Sequence, residues 1–175
     1  MADTLFNELP RTYSYTADAS DVIRVVVVDS REAMREGIRQ MLNSDESIKM
    51  IGEARNGKEA LHQIQRLYPD VILLDVEMRG ADGIKIISQI KNALHNVGII
   101  VLNDEENLLV PAVENGASAF LPRDISRNEL ISAIRIVYLW RSILFQDEDH
   151  FALVKLPQTK TMPTMFKGGA KLEGV

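Results

Sequence analysis

Asp29 closes the apolar run VVVVDS, and Asp75 closes DVILLDV, with Glu77 two residues further on. Another run, VGIIVLN, ends in Asn103 and continues into Asp104 and Glu105, while ASAFL leads through Phe120 and Pro122 to Arg123. A lone aspartate after an apolar run is ordinarily a turn or helix cap, because its carboxylate bonds nearby backbone N–H groups. Acids from three runs, one amide and one cation that converge suggest more. Carboxylates held together can bind a divalent cation through oxygen. A carboxylate beside that cation can take a phosphoryl group, a reaction governed by charge stabilisation and alignment. Where magnesium is held, runs of the VVVVD kind often close on two adjacent acids; here the second position is Ser30.

The elements that would position these residues are short. IRVVVVD (23–29), IKMIGEA (48–54), DVILLDV (70–76), VGIIVLN (97–103) and ASAFL (117–121) read as strands, three of them almost continuously apolar. Such runs suit strands buried on both faces of a parallel sheet. Amphipathic stretches lie between them. REAMREGIRQMLN places Ala33, Met34, Ile38, Met41 and Leu42 on one face, and NGKEALHQIQRL gathers Ala60, Leu61, Ile64 and Leu67 after Asn56 and Gly57 at its cap. IKIISQIKNAL follows Gly83, NLLVPAVENG stops at Gly116, and SRNELISAIRIVYLW opens on a Ser126–Glu129 capping box. Strand and helix alternate about five times, which specifies an α/β fold with a parallel sheet and helices on both faces. In such a fold sites form at the C-terminal strand ends, where all the residues named above lie.

The expected organisation is a flexible arm over 1–21, a domain over 22–146, and an aperiodic tail or linker over 147–175. The 175 residues include no cysteine, carry a net charge of −5 and have a pI near 5.3. That excludes disulfides and thiol chemistry, disfavours a nucleic-acid or membrane-surface role, and fits a cytoplasmic protein. MADTLFNELP lacks the pattern of a signal peptide, and no apolar run approaches a membrane span. His62, His95 and His150 have no ligand spacing, and no phosphate loop, nucleophile elbow or metal box is present, so no independent enzyme is expected. The last helix, around 126–145, is too apolar for one core-facing stripe. Tyr138, Trp140, Ile143, Leu144 and Phe145 either cover the sheet edge or form a surface for a protein partner or a second copy.

VVVVDSREAMREGIRQML, IGEARNGKEAL, PDVILLDVEMRGADG, GIIVLN, ENGASAFLPRD and ISRNELISAIR, in that order and spacing, resemble a response-regulator receiver domain of the NarL/LuxR type over residues 22 to about 142. The resemblance covers about 120 of the 175 residues and is specific, because DVILLD followed by Met78-x-Gly-x-Asp-Gly83 and then GAS is hard to obtain by chance. It implies a flavodoxin-like (CheY-like) five-stranded sheet of order 2-1-3-4-5. It also implies that Asp75 is the phosphoacceptor for a histidine kinase, with Mg²⁺ held by an acid pair after the first strand. A hydroxyl on the fourth strand, a lysine after the fifth, and an aromatic three residues before that lysine would complete the pocket.

This sequence keeps Asp75, Asp29 and Phe120 and departs elsewhere: Ser30 replaces the second acid, Asn103 the hydroxyl, Arg123 the lysine, and Arg79 the usual proline after Met78. Asp104 adds charge opposing a phosphate, whereas Glu77 could supply a metal carboxylate from the other side. An Arg123–Asp75 pair would relieve the acid repulsion and occupy the nucleophile. The expectation is therefore an atypical receiver, a signal-transduction module working through protein contacts without aspartate phosphorylation. Asp29 and Asp75 would bind Mg²⁺ weakly or not at all, with no other cofactor. The alternative is a working phosphoacceptor in a two-component phosphorelay, and a third possibility is a sensor of a small molecule in the altered pocket. The stretch after the last helix has no paired-helix pattern, so no DNA-binding domain is expected in this chain. A stand-alone receiver and the regulatory half of a transcription regulator both stay open.

Overall fold

The computed structural model describes residues 22–78, 83–143, 151–154 and 164–167. The expected arm at 1–21 lies outside them, as do Arg79, Leu144, Phe145, the side chain of Ile143, and His150. In chain order the elements are β1 (Ile23–Val28), α1 (Glu32–Leu42), β2 (Ile48–Ala54), α2 (Gly57–Leu67), β3 (Val71–Leu74), α3 (Gly83–Ala93), β4 (Gly98–Leu102), α4 (Leu109–Glu114), β5 (Ala119–Leu121), α5 (Arg127–Ile143), β6 (Phe151–Val154) and β7 (Thr164–Lys167). The first five strands are parallel, as the alternating pattern predicts, and lie in the order β2-β1-β3-β4-β5 that the receiver resemblance implies.

The strands are continuously apolar because both faces are covered. Val25 and Val27 of β1 point into a core with Ile38 and Leu42 of α1 and Leu130 and Ile134 of α5. Val26 and Val28 point to the other face, against Ile64 of α2, Ile86, Ile87 and Ile90 of α3, and Ala112 of α4. Sheet burial on two sides supplies most of the hydrophobic driving force, at about 25 cal/mol per Å² of apolar surface removed from water.

The helix boundaries follow local chemistry. Asn56 caps α2 by accepting from the Glu59 amide (2.9 Å), and Glu59 in turn accepts from the Arg55 amide (2.9 Å). The Ser126–Glu129 box closes the start of α5, with the Ser126 amide donating to Glu129 Oε2 (3.1 Å). A 3₁₀ turn at Glu106–Leu108 precedes α4, and Pro111 is tolerated because first-turn amides have no intrahelical acceptor. Gly116 terminates α4 at φ +104, a backbone conformation that glycine adopts without strain.

The stretch 147–175, expected to be an aperiodic tail, instead contributes two strands. β6 pairs in parallel with β5 (Ala119 with Leu153, Phe120 with Val154), and β7 runs antiparallel to β6. FALV and TMFK are four residues each, too short to carry a readable period; the open edge of β5 supplies the N–H and C=O groups that select them. On α5, Tyr138 packs against the β1-side core while Arg141 stacks 4.4 Å from its ring centroid and pairs with Asp70 at 2.6 Å. Part of the apolar excess of this helix is thus used internally. Among the described residues no helix is long and apolar enough to cross a membrane.

Lys91 of α3 lays its stem against Gly116 and donates from Nζ to the Val97 carbonyl (2.6 Å). Burial pushes its ammonium from the ordinary 10.5 down to about 8. Between those values the unfolded chain holds this proton and the folded chain does not. The cost of burying the charge is full below about 8 and vanishes as pH rises past 10.5. Relative to Lys91→Met, the wild type should gain stability between pH 8 and 10.5, by up to about 3 kcal/mol in urea denaturation. Parallel pH profiles for the two proteins would refute this.

Candidate functional site

β1, β3, β4 and β5 deliver their last residues to one end of the sheet. Asp29 follows β1 and Asp75 follows β3, side by side because Val28 pairs with Leu74 and the Asp75 amide donates to the Val28 carbonyl (2.8 Å). Both carboxylates are almost fully buried, as is Asn103 after β4. Arg123 comes from the loop after β5. To reach β3 its side chain must cross the end of β4, since β4 lies between the two strands.

It makes that crossing. Arg123 Nη2 donates to Asp75 Oδ1 at 2.8 Å and also pairs with Glu77. The same Asp75 oxygen accepts from the Glu77 amide at 3.0 Å. Arg31 fills the other side. Its backbone amide (2.8 Å) and Nε (3.0 Å) both donate to Asp29 Oδ1, and its Nη2 donates to Asp29 Oδ2 (2.8 Å) and Asp75 Oδ2 (3.3 Å). Below it, Arg35 is buried in α1 and donates to the Asp29 carbonyl (2.9 Å). Every carboxylate oxygen of Asp29 and Asp75 therefore accepts at least one N–H bond.

The electrostatics agree with that closure. The hydrogen bond from Arg123 and its charge hold the Glu77 carboxyl below the usual range, against a smaller effect of burial. Burial works against the charge on Arg123, but the bonds to Asp75 and Glu77 outweigh it and strengthen its hold on the proton. Arg31 is shifted the same way, first by its bond to Asp29. The remaining expected residues serve the loops. Asp104 turns away to accept from the Arg123 amide (2.9 Å), and Asn103 Oδ1 accepts from the Glu105 amide (2.7 Å). Asn103 Nδ2 is buried without a protein acceptor. Ser30 is exposed and carries no carboxylate, and Phe120 is buried in the α3-side core.

Of the expected site residues, the structure brings together Asp29, Asp75, Glu77 and Arg123, with Asn103 and Asp104 alongside. Sequence reasoning missed Arg31 and Arg35. The spacing of Arg31 two residues after Asp29 suits an Asx-type turn, and Arg35 is a cation on the apolar side of α1; those were the available signals.

Five parallel strands in the order β2-β1-β3-β4-β5, with buried aspartates after β1 and β3, define a receiver-type module of two-component signalling. The family model described as response regulator receiver domain matches residues 25–135, and the chain belongs to that family. Among its relatives, the transcriptional regulatory protein LiaR of Bacillus subtilis is 37% identical over 116 residues, covering 65% of this chain and 55% of that protein. The response regulator UvrY of Escherichia coli is 32% identical over 143 residues, or 80% of this chain and 66% of that one. The signal receiver domain of the NarL regulator from Mycobacterium tuberculosis superposes with a TM-score of 0.64 at 32% identity, over 68% of this chain and 98% of its own. The chain spans about half the length of several curated relatives it matches, 54 to 56% for three of them. It is thus a response-regulator receiver domain related to transcription regulators, and its relatives are regulators rather than enzymes.

The family implies a magnesium ion between the acids, and the residues present do not fit one. Mg²⁺ requires near-octahedral oxygen ligands at about 2.0–2.1 Å and gives up its water reluctantly. Here both acids direct their oxygens to guanidinium and amide N–H groups, Glu77 is tied to Arg123, and Ser30 replaces an acid. No cluster of three or more acids or histidines among the described residues is disposed to hold an ion.

Proposed function

We propose that this receiver is an interaction module that signals without phosphorylation of Asp75. The observation carrying the reading is the 2.8 Å bond from Arg123 to Asp75 Oδ1. A nucleophilic carboxylate needs a free lone pair in line with the phosphorus, and charge neutralisation of the incoming group carries most of the catalysis. Arg123 and Arg31 already spend their charge on the acids. Asn103 has no hydroxyl to follow a phosphoryl oxygen, and Asp104 adds a negative charge at the loop.

The partner, a protein or a second copy, engages the surface at the end of α5, where Trp140 is half-buried and the apolar run continues to Phe145. Relatives named as transcriptional regulatory proteins support placing the chain as the regulatory part of a cytoplasmic transcription regulator. On this reading Asp75→Asn leaves partner binding near the wild-type level.

The second reading is a working phosphoacceptor, favoured by Asp75 standing beside Asp29 at the strand ends. Incubation with acetyl phosphate and Mg²⁺, followed by intact-mass spectrometry with Asp75→Ala as control, separates the two. The expected result is no added mass. A gain of one phosphoryl group absent from the control would establish the second reading and return a histidine kinase to the pathway.

A further inference from the structure

We infer that Arg31 is the resident cation of this pocket, a tethered guanidinium that occupies the gap between Asp29 and Asp75 and keeps divalent metal out. The inference extends the phosphorylation-independent reading but rests on a different residue. Arg31 Nη2 lies 2.8 Å from Asp29 Oδ2 and 3.3 Å from Asp75 Oδ2, so one nitrogen bridges the two carboxylates. Its Nε and backbone amide hold the second oxygen of Asp29, giving a bidentate fork that fixes the orientation. The Arg31 side chain is 45% exposed, whereas those of Asp29 and Asp75 are 5% and 4% exposed. The guanidinium therefore lies on the solvent side of two buried acids, across the route an ion would take.

Three features favour the arginine over a metal. It is joined to the chain two residues from Asp29, so its local concentration does not depend on free ion. Its charge, with that of Arg123, opposes entry of a dication. Ser30 offers no carboxylate to help a metal compete. Among the described residues, removing Arg31 leaves two buried carboxylates facing each other with Arg123 as the one guanidinium still bonded to either carboxylate, an arrangement that a divalent cation would relieve.

The test is thermal denaturation of the full chain as wild type, Arg31→Ala and Arg31→Gln, with MgCl₂ or with NaCl at matched ionic strength and no phosphodonor. The wild type should show no magnesium-specific shift. Both variants should melt lower by about 3–6 °C in NaCl and regain at least half of that in about 10 mM MgCl₂. Adding Asp29→Asn to Arg31→Ala should abolish the magnesium response. A wild type that gains as much as the variants would overturn the inference. So would variants that gain nothing, or a response that survives Asp29→Asn. If Arg31→Ala does not fold in NaCl, magnesium-driven recovery of its circular dichroism supports the inference, and no recovery in either variant overturns it. Because no phosphoryl group is supplied, this outcome is independent of the mass-spectrometric test of Asp75.

Discussion

Arg123→Ala should destabilise the domain by about 2 kcal/mol at pH 7, and Asp75→Asn introduced into that variant should recover more than half of the loss. Asp75 is buried and Glu77 lies beside it, so deletion of the guanidinium leaves one buried and one partly exposed carboxylate without their main cation. Breaking a fully buried pair costs about 3–5 kcal/mol; Arg31 still reaches Asp75 Oδ2, which argues for the lower figure. The rescue follows from the same asymmetry, because the neutral amide no longer requires a counter-charge.

The pH dependence has a definite sign. The folded-state pKa of Glu77 is depressed below its ordinary 4.5, so the stability it derives from Arg123 is present above that value and is lost as pH falls through the folded pKa. The gap between wild type and Arg123→Ala should therefore narrow below pH 4.5. Equal urea midpoints at pH 7, or a gap that widens on acidification, would show that Arg123 does not lock these acids.

Gly83→Ala should be the most damaging single substitution away from the charged pocket, costing more than about 4 kcal/mol and leaving little folded protein. A Cβ at this position would stand 1.8 Å from the Val76 carbonyl oxygen and 2.5 Å from its carbonyl carbon. Those are backbone atoms, and no rotamer change relieves the overlap. Moving Val76 would also disturb Asp75 and the 3.0 Å bond from the Glu77 amide to Asp75 Oδ1. Gly37 in α1 is the matched control, since nothing lies within 4 Å of its added Cβ. Gly37→Ala should stabilise the protein by about 0.5–1 kcal/mol through its helix propensity. Circular dichroism melts of the two variants suffice; a Gly83→Ala protein that melts like wild type would mean that α3 is not seated this closely on the Val76 backbone beyond β3.

Much of this architecture was legible before any coordinates. Runs such as VVVVD and VILLD can be satisfied only by burial on both faces, and Asn56, Gly116 and the Ser126–Glu129 box mark helix ends by local hydrogen bonding. Asp29 and Asp75 were legible as site residues because each ends such a run, and sheet geometry places those ends together. The reach of Arg123 to Asp75 was foreseeable as a charge argument. Its contact with Glu77, and the turn of Asp104 to the Arg123 amide, were not.

What the sequence determined by itself is whatever depends on neighbours along the chain: strand and helix identity, caps and the residues at each strand end, while the strand order came from the resemblance to the receiver family. The role of Arg31 needed the tertiary structure, because its bridge to Asp75 joins positions 44 residues apart that meet only across the β1–β3 register. So did the closeness of Gly83 to Val76 and the addition of β6 and β7 to the open edge of β5. Local preference acts over a few residues, whereas the partner of a charge, the room for a methyl group and the occupant of a sheet edge are set by which distant segments the packed core brings into contact.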